Sequence, residues 1–190
     1  MESRINLKHK VRKGFDNSLQ LGTFWGIPVK VHWTFGLLIL FVSYTAITSG
    51  FKIWQGVGFV SYIFVLFFCV VLHEYGHALT GRKFGIKTRD IILSPIGGLA
   101  RLENMPEKPV DEFFIAIAGP MVNLCIGVIL ATTLHFGTSR VLPEMDLFRF
   151  DDPVEFVRWI TWMNFALFIF NLIPAFPMDG GRILRSLLAA

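Results

Sequence analysis

Apolar positions along this chain gather into four long runs, separated by polar, charged or Pro- and Gly-containing stretches. They are residues 33–49 (WTFGLLILFVSYTAITS), 57–81 (VGFVSYIFVLFFCVVLHEYGHALTG), 113–136 (FFIAIAGPMVNLCIGVILATTLHF) and 157–174 (VRWITWMNFALFIFNLIP). A bilayer core of about 30 Å needs roughly 17–25 helical residues, so each run predicts a transmembrane helix. A further helix begins at Gly181 with GRILRSLLAA, too short to span, which leaves room for truncation at the C-terminal end. Between the second and third runs, KTRDIILSPIGGLARLE (87–103) alternates partly and carries Pro95 and Gly97-Gly98, predicting short strands with a tight turn. GTFWGIPVKVHW, ahead of the first run, also alternates like a strand pair; it either extends that β-element or lies at the headgroups. The expected fold class is an all-α polytopic membrane protein. It has four clear transmembrane helices plus a partial C-terminal one, with a small β-element between helices 2 and 3.

Composition agrees with the pattern. Of 190 residues, 53% are hydrophobic and only 17% are charged, against roughly 25% charged in an average soluble domain. The formal charge of +4 sits at the ends of apolar runs, so it is read as a membrane pattern with no nucleic-acid partner. Cys69 and Cys125 both fall in apolar runs without any Cys-based metal spacing, and are expected to be small buried hydrophobes. The polar, basic N-terminus (MESRINLKHKVRKG) precedes an apolar run that starts only near Trp33, which predicts an uncleaved anchor rather than a cleaved signal.

Basic residues set the expected orientation. Arg4, Lys8, Lys10, Arg12, Lys13 and Lys30 precede the first run, and Lys52 alone lies between the first two. Six more lie between Arg82 and Lys108. Arg140, Arg149 and Arg158 are diluted by Glu144, Asp146, Asp151, Asp152 and Glu155, and Arg182 and Arg185 follow the fourth run. The alternation predicts an integral, multi-pass membrane protein with residues 1–20 as a basic cytosolic segment and a membrane core over 21–190. The second helix then runs from outside to inside and exits near Arg82. At about 1.5 Å per residue, His77 lies roughly 7 Å and His73 roughly 13 Å above that exit, toward the cytosolic side.

Those two histidines belong to HEYGH (73–77). Four residues apart on a helix, they share one face and can hold one Zn²⁺ with Glu74 beside it. A catalytic zinc takes three protein ligands and keeps a position for water; a carboxylate base then accepts the water's proton. The alternative is a surface helix with two solvated histidines. That alternative is weaker here because ionisable groups within a membrane span are costly and functional by default. The third ligand could come from Glu103, Glu107, Asp111, Glu112 or Asp179. Asp179 follows the fourth run at the correct depth, after Pro174 and Pro177 and before Gly180-Gly181, although it could equally be an N-cap for the last helix.

HEYGH within an apolar helix, followed about a hundred residues later by NLIPAFPMDGG (171–181), resembles the site-2 protease family of intramembrane zinc metalloproteases. AGPMVN (118–123) resembles that family's middle motif, and the resemblance covers about residues 20–190. It implies that His73, His77 and Asp179 hold Zn²⁺, that Glu74 is the general base, and that membrane helices surround a water-accessible metal site. It implies a zinc metalloendopeptidase whose partners are the lipid bilayer and a membrane-protein substrate with a transmembrane segment. It also makes the β-element re-entrant, so that its free edge, near Gly97 and Gly98, could pair with an unwound substrate; the alternative is an ordinary cytosolic hairpin.

Asn123 and Asn171 are amides in apolar helices, suited either to joining helices or to orienting substrate. His32 could face the site or anchor at the interface; His9 and His135 read as solvated or interfacial, and Tyr75 as packing. Gly76 and Gly81 suggest a close neighbour near the motif. Two rivals stand beside the protease: a membrane zinc transporter, and a catalytically silent metal-binding scaffold.

Overall fold

The computed structural model describes residues 18–95, 97–104, 106, 108–138, 140–143, 149, 152–175 and 178–189. Most of the basic N-terminal segment with His9, together with Glu107, Glu144, Asp146, Asp151 and Pro177, lies outside these residues. Strands β1 (Ser18–Phe24) and β2 (Ile27–His32) come first, then helices α1 (Thr34–Thr48) and α2 (Ile53–Lys83). Strands β3 (Thr88–Ser94) and β4 (Gly97–Leu102) follow, and α3 (Pro109–Thr138), α4 (Pro153–Leu172) and α5 (Asp179–Leu188) complete the order. The fold is mostly helical with one small sheet.

The helix ends follow from local chemistry. Arg82 and Lys83 occupy the last turn of α2, where cations complement the helix dipole. Pro109 opens α3, with Asp111 and Glu112 in its first turn. Asp152 caps α4, its side chain accepting from the N–H groups of Val154 at 2.8 Å and Glu155 at 3.4 Å.

Among the described residues, α2 and α3 are the two helices long and apolar enough to cross a membrane. Only 17% and 33% of their apolar windows are buried within the chain, whereas the core helix of a soluble domain would be mostly covered. The other two expected spans differ. α1 has 15 residues, which is short for a 30 Å core. α4 has 20 residues but spends part of its length on the buried Glu155–Arg158 pair. Cys125 also departs from expectation: Cys69 is buried, but Cys125 is exposed on α3.

The four strands form one sheet in the order β1-β2-β3-β4. β1–β2 and β3–β4 are antiparallel hairpins, while β2 and β3 pair in parallel with Val29 opposite Ile91. The strand pair before α1 therefore extends the β-element, which the sequence pattern left open. Trp25 and Gly26 make the first turn with φ of 49° and 77°, the left-handed pair a two-residue hairpin requires. β4 is an edge strand.

Ile27 and Val29 of β2 and Ile91 and Leu93 of β3 pack on Tyr75 and Ala78 of α2, forming the core between sheet and helix. The Tyr75 hydroxyl donates to the carbonyls of Phe24 (3.1 Å) and Ile27 (3.3 Å), pinning the first hairpin to the motif helix. On the other side of α2, Tyr62 and Cys69 pack against Ile160 of α4. Asp90, 1% exposed, is held between Lys30 of β2 at 2.9 Å and the Arg101 guanidinium of β4. Burial alone would raise its pKa, but the hydrogen bonds and charges of Arg101 and Lys30 outweigh it and hold the carboxyl below its ordinary value.

Candidate metal centre and active site

Three polar side chains from two helices meet below the sheet. His73 Nε2, His77 Nε2 and Asp179 Oδ2 lie 3.1 Å from one another. α2 supplies both imidazoles on one face, and α5 begins with the carboxylate. Among the described residues this is the group of His, Cys, Asp or Glu side chains that could hold a metal ion. Asp179 occupies the first turn of α5, after Met178 as its N-cap.

The other imidazole nitrogens are committed elsewhere. His77 Nδ1 is 2.7 Å from the Ile115 carbonyl, and His73 Nδ1 is 2.7 Å from Asn123 Oδ1. A carbonyl oxygen only accepts, so each Nδ1 carries the proton and each Nε2 presents a lone pair. Two lone pairs and a carboxylate oxygen at such separations repel one another unless a cation lies among them. Tetrahedral zinc, bonded at about 2.0–2.1 Å to nitrogen and oxygen, spaces its donors roughly 3.3 Å apart. The donor set, its protonation and its spacing therefore fit Zn²⁺.

Glycines make room for the cluster. A Cβ at Gly119 would fall within contact of His77 and 2.7 Å from His73 Nε2. Gly76 answers the expectation of a close neighbour, since a Cβ there would be 2.7 Å from the Ala118 carbonyl oxygen of α3. At Gly81 the contact is ordinary, 3.6 Å from Leu102.

Glu74 is buried beside the imidazoles, and its Oε2 accepts the backbone N–H of Ala100 at 2.8 Å. Gly98 lies against it; a Cβ there would be 2.6 Å from Glu74 Cγ. A cavity of about 480 Å³ opens over the cluster, lined by His73, Glu74, His77, Asn171, Asp179, Arg182 and the β4 segment around Gly98. Acidic, basic and amide groups thus converge on one recess.

The remaining sequence candidates distribute unevenly. Asn171 lines the cavity and donates to the Leu167 carbonyl at 2.9 Å. Asn123 is fully buried behind His73 and does not line the cavity. Gly97 opens β4 but is not a lining residue. Of the candidate third donors, Glu103 lines the cavity without joining the cluster, and Glu112 is engaged by Arg185 and lies 3.6 Å from Arg182. His32 faces Thr34 Oγ1 at 2.7 Å rather than the cavity. Sequence reasoning missed the Ile115 carbonyl, the Ala100 N–H, Gly119 and Arg182. Backbone partners carry no signal in residue identity, but Gly119 lies within AGPMVN and Arg182 directly follows DGG, so their neighbourhood was marked.

Comparison with known proteins agrees with this geometry. The family described as Peptidase family M50 matches residues 61–151 and 146–190. The chain is 37% identical over 173 residues to a zinc metalloprotease of Methanocaldococcus jannaschii, covering 90% of this chain and 46% of that protein. It is 27% identical over 128 residues to stage IV sporulation protein FB of Bacillus subtilis, covering 67% of this chain and 40% of that one. Among solved structures, the site-2 protease from Methanocaldococcus jannaschii superposes with a TM-score of 0.67 at 36% identity, over 90% of this chain and 72% of that chain. The chain spans about half the length of the curated relatives it matches. With its HEYGH helix, its distant DGG carboxylate and these likenesses over most of its length, the chain belongs to peptidase family M50, the zinc metalloproteases of site-2 protease type.

Proposed function

We propose that this chain is an intramembrane protease core that uses Zn²⁺ to hydrolyse peptide bonds in or near transmembrane segments of other proteins. The observation that carries the reading is the meeting of His73, His77 and Asp179 beside Glu74 in one lined recess. When bound, zinc would lower the pKa of a water toward 7 and polarise the scissile carbonyl. His73, His77 and Asp179 would hold it, leaving one side open to the cavity. Glu74 is held by the Ala100 N–H through Oε2, which leaves its other oxygen to take a proton from the attacking water. The same carboxyl then delivers that proton to the leaving amine.

The edge strand supplies a place for substrate. A helical segment hides its peptide bonds, whereas an unwound one can add to a free strand edge. β4 borders the cavity and is tied to Glu74, so a segment paired along it would bring its carbonyls toward the donors. Gly97 and Gly98 keep that edge low, and Asn171 offers an amide from the facing wall. Asn123 contributes from behind His73.

The orientation follows from the basic residues: N-terminus cytosolic, with the site toward the cytosolic side and residues 21–190 forming the core. Over the transporter and the silent scaffold, this reading is favoured by Glu74, a carboxylate at the recess that is not one of the three donors. The deciding test is to incubate the purified protein in detergent with a transmembrane substrate, with and without a zinc chelator. Cleavage that the chelator abolishes supports the protease; metal flux in liposomes without peptide products supports a transporter.

A further inference from the structure

His73 is held by a chain of amides that starts on a different helix. The Ile160 carbonyl of α4 lies 2.9 Å from Asn164 Nδ2, one turn further along the same helix. Asn164 Nδ2 also reaches Cys69 Sγ of α2 at 3.5 Å. Asn164 Oδ1 lies 3.2 Å from Asn123 Nδ2 of α3, and Asn123 Oδ1 lies 2.7 Å from His73 Nδ1. Asn123 and Asn164 are both 0% exposed, and His73 is 6% exposed.

The direction of every bond follows from one atom. Amide oxygen and nitrogen are assigned by the network they join, and a backbone carbonyl can only accept. Ile160 therefore draws the NH₂ of Asn164 toward itself and turns the Asn164 oxygen to Asn123. That oxygen draws the Asn123 NH₂, which turns the Asn123 oxygen to His73. His73 must then keep its proton on Nδ1 and its lone pair on Nε2, facing His77 and Asp179.

We propose that Asn164 is a positioning residue that sets the tautomer of His73 through Asn123, and so prepares Nε2 for the metal. This rests on the reading of His73 as a zinc ligand. Without Asn164, Asn123 is free to rotate by half a turn and present its NH₂ to Nδ1. The imidazole proton then moves to Nε2, where it occupies the position the cation needs. Partners of this kind around ligating histidines typically change metal affinity about 10–100-fold when removed. α4 contributes no donor to the cluster, so this amide chain is how it reaches His73, while its Asn171 lines the cavity separately.

The test combines zinc affinity, by competition with a chelator, and the histidine ¹⁵N spectrum of metal-free protein in detergent. In the wild-type chain His73 should be the Nδ1–H tautomer. Asn164→Leu should give mixed tautomers and about 10–100-fold weaker zinc binding at unchanged fold. Asn164→Asp should stay close to wild type, because its carboxyl still accepts from Asn123 and its acidic proton can serve Ile160. A wild-type His73 protonated on Nε2 overturns the proposal. So does a folded Leu variant with wild-type tautomer and affinity, or an equal loss of zinc in the Leu and Asp variants. If the Leu variant does not fold, the wild-type spectrum and the Asp variant decide. Wild-type protein that binds no zinc overturns the metal-ligand reading instead, and the tautomer measurement still stands apart from it.

Discussion

The Ala100 N–H donates to Glu74 Oε2 at 2.8 Å, so the carboxylate expected to move protons is tethered by the backbone of an edge strand. The proposed base and the proposed substrate-docking edge would therefore move as one mechanical unit. Glu74→Gln keeps an oxygen for Ala100 and leaves His73, His77 and Asp179 intact. Zinc content by metal analysis should stay at the wild-type level, while cleavage falls by about 10²–10⁴-fold, the contribution typical of a general base. Cleavage at the normal rate would remove Glu74 from that role.

Gly119→Ala and Gly98→Ala should fail in different ways. The methyl at 119 would intrude on both imidazole Nε2 atoms, so bound zinc should drop steeply. The methyl at 98 would press most closely on Glu74, so zinc should be retained while turnover falls. Metal stoichiometry measured alongside cleavage separates the two, and equal zinc loss in both variants would contradict the geometry.

Asp179→Ala removes one donor of three. Zinc affinity should fall by at least the 10–100-fold seen when even an indirect partner of a ligand is lost. Unchanged affinity would reassign the third position, with Glu103 the next acid at the cavity.

Chelation should destabilise the wild-type chain, because the three donors then repel one another at 3.1 Å. A ligand present at about 100 times its Kd stabilises the folded form by about 2.7 kcal/mol. A thermal midpoint that drops on chelation and returns with added zinc is the expected result, and one that ignores both treatments would argue against a resident metal.

Asp90 gives stability a pH dependence with a defined sign. Its folded pKa lies below the ordinary carboxylate value, so its contribution is fully present above the unfolded value of about 3.9 and is lost as pH falls through the folded one. Asp90→Asn should cost about 1.5–3 kcal/mol at neutral pH, the range for hydrogen bonds to charged groups. Unfolding followed from pH 7 to pH 3 should show a constant gap between variant and wild type down to about pH 4, then a narrowing one. A gap that widens on acidification would contradict the assigned direction.

Much of this site was legible because its chemistry is written in residue type and spacing. His73 and His77 at four-residue separation share a helical face wherever that helix lies, and a carboxylate after Pro174 reads as a built turn. The strands around Gly97 were visible through alternation. Other features depend on which backbone atoms meet, and side-chain pattern does not encode that. The Ile115 carbonyl on His77 and the Ala100 N–H on Glu74 are of this kind. The parallel pairing of β2 with β3 was invisible for a related reason: alternation gives a strand its faces but not its neighbour. The count of spans came out differently because hydropathy measures lipid compatibility and not helix length. α1 stops at 15 residues, and α4 carries the buried Glu155 and Arg158 in its first two turns.

The parallel pairing also bears on how the molecule is made. Lys30 and Asp90, joined across β2 and β3, are 60 positions apart, and two complete helices separate them in the chain. The first hairpin must wait through the synthesis of α1 and α2 before its neighbour exists, a non-local closure that slows assembly. Asp179 emerges later still. The HEYGH helix is thus laid down well before its carboxylate partner, so the three side chains cannot converge until synthesis has passed Asp179.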